Sequence, residues 1–252
     1  MTVDVQSVRS EVPIRRDASP ASALLGQGVV VIWNDVAAEG RDQFYAWHDN
    51  EHVPERLAIP GFRRGRRFMS TAHSPEWLTL YEVSELSVVT SAPYLARLNA
   101  PTPATMSALE HFRNTSRAAC RVVHSCGAST GGHVLAMRLS VPEASGDPMR
   151  RYLRDEAFPR LMACTGIVAC HLLAADESGS YVKTAESSTR AFDVPSWVLL
   201  CEASRAASAA SARATIEGRA FDALGIEVRD DAAVYALEIC RLSSPSSDPW
   251  TR

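Results

Sequence analysis

The tract WHDNEHVPERLAIPGF carries three side chains with acid–base capacity close together: His48, Glu51 and His52. At helical spacing the two histidines fall one turn apart on one face, with Glu51 beside them. Histidine titrates near neutral pH, so such a pair can take up and return a proton. In an apolar pocket two imidazoles divide the work, one as a neutral base and one as a hydrogen-bond donor. We take His48 as the expected general base, His52 as the partner acid or donor, and Glu51 as the carboxylate that orients them. Arg67 and Tyr81 are the expected contacts for a carboxylate, phenol or enolate oxygen. The rings of Trp33, Phe44 and Trp47 are candidates for holding a flat apolar body, with ordinary core packing as the competing role.

Several chemistries fit these residues. Proton transfer next to a carbonyl serves an isomerase, cyclase or lyase acting on a small hydrophobic, aromatic or polyketide-like compound, and this is the main expectation. A cofactor-free quinol-type monooxygenase needs the same base and the same apolar pocket. A protein that binds a small ligand without turning it over needs only the pocket. The segment HDNEH also matches an inverted zinc-binding pattern, with His48 and His52 at the spacing of two ligands. That pattern belongs to a longer fold, Pro54 is expected to end the helix two residues on, and a third ligand would have to come from Glu82 or His73. No metal and no cofactor are therefore expected, and nothing singles out an axial ligand for haem. There is no glycine-rich phosphate loop, nucleophile elbow or dinucleotide fingerprint.

The elements that must hold these residues are legible through an internal repeat. A shift of about 105 residues lays Val29 on Val134, Trp47 on Tyr152, Glu51 on Glu156, Pro54 on Pro159 and Gly61 on Gly166. Further on, a shift of about 120 lays WLTLYEV on WVLLCEA, the extra length falling in ADESGSYVKTAESSTRAFD, which reads as a longer hairpin loop. Each copy has the order β-α-β-β-α-β, with β-branched strands and helices of helical period. The expected elements of the first copy are strands 28–34, 61–71, 77–83 and 117–124, with helices 41–57 and 91–112, the second broken near Pro101 and Pro103. In the second they are strands 133–141, 166–174, 196–203 and 233–242, with helices 147–164 and 207–223. This is the ferredoxin-like module, an antiparallel sheet with both helices on one face. Its other face is apolar and needs cover, which two tandem modules supply to each other.

The repeat also acts as an internal control. His48 aligns with Leu153 and His52 with Ala157, so both histidines occupy inward positions that are aliphatic in the sister copy. Two buried imidazoles without partners would cost about 1–3 kcal/mol each, which argues for a polar pocket in the first module. Glu51 is matched by Glu156, which leaves a structural role open for it. In FRRGRRF, strand alternation places Arg64 and Arg66 on one face with Phe62 and Phe68, and Arg63 and Arg67 on the other. Arg56 aligns with Leu161 and is expected to pack its stem and pair its head with Glu55 or Asp49.

The chain of 252 residues has 46% hydrophobic and 22% charged residues and a net charge of −3. That balance gives no reason to expect nucleic acid or an anionic membrane as a partner. No apolar run is long enough to span a bilayer and the N-terminus lacks a secretory core, so the expected location is cytoplasmic. The six cysteines form no CxxC pair and read as small buried hydrophobes in a reducing compartment. The expected organisation is a flexible segment 1–26, a first module 27–128 holding the active site, a second module 129–244 serving as scaffold, and a flexible tail 245–252. The chain is then a monomer with an internal pseudo-dimer, or a homodimer.

On the tracts WHDNEHVPERLAIPGFRRGRRF, APYLARLNAPTPATM and FRNTSRAACRVV, the sequence resembles the dimeric α+β barrel superfamily, in particular its EthD-like branch. The resemblance covers about residues 29–242. It implies an α+β fold, two ferredoxin-like β-α-β-β-α-β modules forming the barrel within one chain. It implies the reaction only loosely, because the superfamily includes cofactor-independent quinol monooxygenases, muconolactone-type isomerases, polyketide cyclases and haem enzymes. It further implies a small apolar ligand between the sheet and the helices of the module that holds Phe44–Phe62.

Overall fold

The computed structural model describes residues 22–181, 183–187, 193–217, 219–230 and 232–244. The expected flexible stretches 1–21 and 245–252 lie outside the described residues. Residues 22–26 belong to the folded body rather than to a loose terminus. Leu24 lies in the barrel interior, and the Ala23 carbonyl accepts a hydrogen bond from Arg64 Nη2 at 2.8 Å.

The first half contains β1 (Gly28–Val36), α1 (Arg41–Trp47), α2 (Val53–Leu57), β2 (Phe62–Met69), β3 (Trp77–Val83), α3 (Ala92–Asn99), α4 (Pro103–Leu109) and β4 (Phe112–Cys126). The second contains β5 (His133–Ser140), α5 (Gly146–Tyr152), α6 (Phe158–Met162), β6 (Ile167–Ala175), α7 (Glu177–Ser180), β7 (Trp197–Ala203), α8 (Ala206–Ile216), α9 (Arg219–Leu224), β8 (Glu227–Val228) and β9 (Ala233–Leu242). Within the halves the strands run antiparallel in the orders β4-β1-β3-β2 and β9-β5-β7-β6. The halves also join edge to edge, β2 with β9 and β4 with β6, so that all strands except the two-residue β8 close into one barrel. Closure removes the free edges that two separate sheets would present. The fold is thus the expected α+β type, a dimeric α+β barrel with both halves in one chain.

Strand alternation divides the interior from the helix side. Val29, Val31 and Trp33 of β1 point into the barrel with Phe68, Leu78, Leu80, Val198, Leu200 and Tyr235. Val30 faces the helices with Val53, Leu57 and Tyr81. The barrel interior also holds charge. Arg66 reaches Glu82 at 3.0 Å and Glu202 at 2.8 Å, all three fully buried, and Arg64 forks onto Glu82 at 2.9 Å through both Nε and Nη2. His171 Nε2 lies 3.4 Å from Glu202. The expected face for Phe62 is corrected by a bulge: the β2–β3 register slips between Phe62 and Arg64, which turns Phe62 to the helix side while Arg64, Arg66 and Phe68 stay inside.

The helix expected over 41–57 keeps its span but not its regularity. Between α1 and α2 lies a wide π-type turn, His48–His52, and Pro54 sits in the first turn of α2 rather than ending the helix. Proline lacks the N–H and crowds the carbonyl four residues back; one extra residue in the turn relieves both. The second half repeats the device, with a π-turn at Leu153–Ala157 ahead of Pro159. Of the cysteines, Cys120, Cys170 and Cys201 are buried as expected, Cys126 is half-buried, and Cys164 and Cys240 are exposed.

Candidate functional site

A cavity lies where the first module's helices meet its sheet. It encloses about 570 Å³ of atom-free space including its mouth, and the rings of Phe44, Trp47, Tyr81, Tyr94 and Phe112 stand on its walls. Its sheet wall is Ile32, Asn34, Thr79 and Tyr81; its helix wall is Phe44, Trp47, His48, His52, Arg56, Tyr94, Leu98 and Leu109; Phe112, Arg117 and Glu186 complete it. In the second half, Leu153, Ala157 and Leu161 occupy the matching helix positions inside a packed apolar core.

His48, His52 and Arg56 form one inward stripe, 3%, 8% and 3% exposed. The π-turn brings the two imidazoles into a stacked arrangement, centroids 5.6 Å apart and planes at 28°. Trp47 lies over His52 at 4.3 Å, and Phe44 beside His48 at 5.2 Å. Arg67 Nη1 stands 2.9 Å from His48 Nδ1. A guanidinium can only donate, so Nδ1 accepts and the neutral ring carries its proton on Nε2. Burial lowers the His48 pKa, and the Arg67 charge pushes the same way, which keeps the ring neutral. With Nδ1 engaged by Arg67, the neutral His48 ring has its N–H on Nε2. Asp49 Oδ1 is 3.9 Å from His48 Nδ1, beyond hydrogen-bond range. The Arg67 guanidinium, 2.5 Å away, holds the Asp49 carboxyl below the usual carboxylate range.

Arg67 does not line the cavity. Its guanidinium is held by Asp49 at 2.5 Å and by Glu238 at 2.7 Å, against the Tyr45 ring at 4.7 Å. Its place is behind His48, as the group that fixes the ring. Glu51 also sits elsewhere than expected: it accepts from Thr102 Oγ1, and Thr105 Oγ1 lies 3.5 Å away. Thr105 Oγ1 in turn accepts from Trp47 Nε1 at 3.0 Å, so Glu51 braces the α3–α4 connection and, through it, the Trp47 ring. Trp33 is inside the barrel against Arg138, away from the cavity. Tyr81, Trp47 and Phe44 do line it. Arg56 pairs with Glu186 at 2.5 Å, while Glu55 pairs with Arg97, correcting the expected partner. For the zinc alternative, Glu82 is committed to Arg64 and Arg66 inside the barrel, and among the described residues no three His, Cys, Asp or Glu side chains gather as a metal site.

Two carboxylates near the cavity come from the second half of the chain. Glu238 comes from β9, and Glu186 from the long β6–β7 connection read in sequence as a hairpin loop. The described parts of that connection lie on the first module: the Ser180 Oγ accepts from the Ala119 N–H at 3.0 Å, and the Glu186 N–H donates to the Leu98 carbonyl at 3.2 Å. Sequence reasoning missed both carboxylates because each acts across the repeat, where periodicity carries no signal.

A scan of family models and a sequence search of curated proteins found no match. Solved structures do match over most of the chain. An anthrone oxidase-like protein superposes with a TM-score of 0.56 at 10% identity, covering 88% of this chain and 95% of its own. A proposed monooxygenase from Lactobacillus acidophilus NCFM gives 0.53 at 7%, covering 86% and 97%. A chlorite dismutase variant from Candidatus Nitrospira defluvii, in complex with cyanide, gives 0.53 at 6%, covering 86% and 92%. At such identities these likenesses concern the fold. Among the described residues no helix is long and apolar enough to cross a membrane.

Proposed function

We propose that the protein is a cofactor-free monooxygenase that oxidises a small hydroxyarene or enolisable ketone in the cavity of the first module. The observation that carries this reading is the stacked pair His48 and His52 at the wall of an aromatic cavity, in positions that are aliphatic in the sister module. The match to an anthrone oxidase-like protein and to a proposed monooxygenase supports the oxygenase reading over the isomerase, cyclase and lyase alternatives. The EthD-like branch remains part of the proposal.

The steps follow from the residues. His52, whose ring stacks with those of His48 and Trp47, removes a proton from the activated CH₂ of the ketone or of the keto tautomer of the hydroxyarene. His48 Nε2–H donates to the oxygen on which the charge settles. The carbanion passes an electron to dioxygen and combines with the resulting superoxide, forming a C–O bond and a peroxide. His52 returns its proton to the peroxide; loss of the second C–H proton then breaks the O–O bond and leaves a carbonyl. The balance is R₂CH₂ + O₂ → R₂C=O + H₂O. The buried aromatic walls keep water from quenching the carbanion.

Oxygen consumption with anthrone, α-naphthol and acetylacetone tests this. The expected result is uptake above the protein-free rate with at least one of them, reduced roughly a hundredfold or more by His52→Ala. Turnover of a panel compound without oxygen uptake would replace the reading with an isomerase or lyase.

A further inference from the structure

The stripe of inward polar residues does not stop at the histidines. Leu153, Ala157 and Leu161 in the second module correspond to His48, His52 and Arg56 in the first, so three successive core positions are polar only where the cavity lies. Arg56 and Tyr81 are buried, yet Arg56 Nη1 and the Tyr81 hydroxyl have no hydrogen-bond partner among the described residues. Both line the cavity, and both can donate. Leaving such donors buried and unpaired is costly, so an acceptor belonging to a ligand is the economical account of them.

The charges at this end of the cavity point the same way. Arg56 is matched by Glu186 at 2.5 Å. Among the described residues Arg117, also on the wall, donates to neutral groups: the carbonyls of Gly179 and Ser180 and the Tyr94 hydroxyl at 3.2–3.3 Å. Among the described lining residues two guanidinium groups face one carboxylate, so this end of the cavity carries more positive than negative charge. A neutral ligand makes no use of that charge.

We propose that Arg56 Nη1 and the Tyr81 hydroxyl form an oxyanion site, and that the ligand of this cavity presents an ionised planar oxygen to it: a phenolate or enolate, or a carboxylate. The inference rests on the cavity being the substrate site and extends the proposed function by naming the substrate's charge. The phenolate or enolate left once His52 has taken the proton is the electron-rich form that dioxygen attacks. The Arg56 and Tyr81 pair stabilises it at the end of the stripe next to His52, whose ring lies 6.2 Å from that of Tyr81.

The experiment uses binding, not turnover. 4-Nitrophenol is titrated with the full-length protein, and the ionisation of the bound phenol is followed by absorbance across pH; benzoate and benzamide are compared by calorimetry. Wild type is set beside Tyr81→Phe, which removes only the hydroxyl, and beside Arg56→Leu combined with Glu186→Gln, which avoids stranding a carboxylate. Circular dichroism checks that each is folded. The expected result is that bound 4-nitrophenol ionises at least one pH unit below the free phenol, a tenfold preference for the anion, and that both variants shrink the shift. A benzoate preference of tenfold or more over benzamide identifies a permanent carboxylate as the recognised group; the phenol shift without it identifies a phenolate or enolate. If bound 4-nitrophenol ionises no lower than free and benzoate binds no better than benzamide, or if wild type binds none of the probes, the proposal is overturned. Anion preference in a protein that consumes no oxygen would leave the oxyanion site standing and remove the oxygenase reading.

Discussion

The buried carboxylate of Glu202 should make the barrel acid-sensitive by a calculable amount. Glu202 is fully buried between Arg66, His171 and the Gly131 N–H, the last at 2.9 Å. Burial alone would raise its pKa, but His171 and Arg66 overcome it and hold the group at about 2, against an ordinary 4.5. A depressed carboxylate pKa stabilises the fold at pH above the unfolded value and stops doing so as pH falls from about 4.5 through about 2. The gap corresponds to stability on the order of 3 kcal/mol at 1.36 kcal/mol per unit. Glu202→Gln keeps the shape and an acceptor for Gly131 while removing the charge. At pH 7 the variant should lose about 3 kcal/mol in urea unfolding, consistent with breaking one partner of a buried pair. Between pH 5 and pH 2 wild type should lose about that much more stability than the variant, so the two pH curves converge. Parallel curves would refute the reasoning, because they would mean that Glu202 ionises alike in the folded and unfolded chains. The same residue joins the halves through Arg66.

Two further outcomes follow from the site. His48 is held neutral by burial, so below its ordinary pKa of 6.5 the unfolded chain takes up a proton that the folded protein refuses. Stability should therefore fall as pH drops below about 6.5, and His48→Gln should flatten that part of the urea-unfolding profile. Leu153→His places an imidazole in the packed second module without an Arg67 equivalent and should cost at least about 1–3 kcal/mol in chemical denaturation; an unchanged midpoint would show that inward histidines are tolerated without a built site.

The fold was legible because both halves of the chain show the same order of strand and helix patterns. Alternation along VVVIW and WLTLYEV, and the shared proline and glycine after each first helix, set strand faces and order. Helix one was placed to the residue, whereas its π-turn was not, since a wide turn leaves the apolar period nearly unchanged. The inward position of His48 and His52 came from the comparison with Leu153 and Ala157, and the cavity lies where that comparison placed it. What was missed acts at long range: the bulge that turns Phe62, the reach of Arg67 to His48, and the two carboxylates lent by the second module. One signal was present and unused. Glu82 and Glu202 occupy the same place in WLTLYEV and WVLLCEA, and a charge kept inside both apolar strands marks a buried partner. Trp33 was assigned to the site on its ring alone, although its place in β1, in phase with Val29 and Val31, puts it inside the barrel.

The central claim is that the first module's cavity inserts an oxygen atom from dioxygen into a carbanion formed at His52. Single turnover under isotopically labelled dioxygen, with the product's mass compared between wild type and His52→Ala, tests it most directly. The account predicts one labelled oxygen atom in the wild-type product, none derived from water, and no product above background from the variant. Unlabelled product formed at the wild-type rate, or deuterium exchange into the substrate without label, would contradict it.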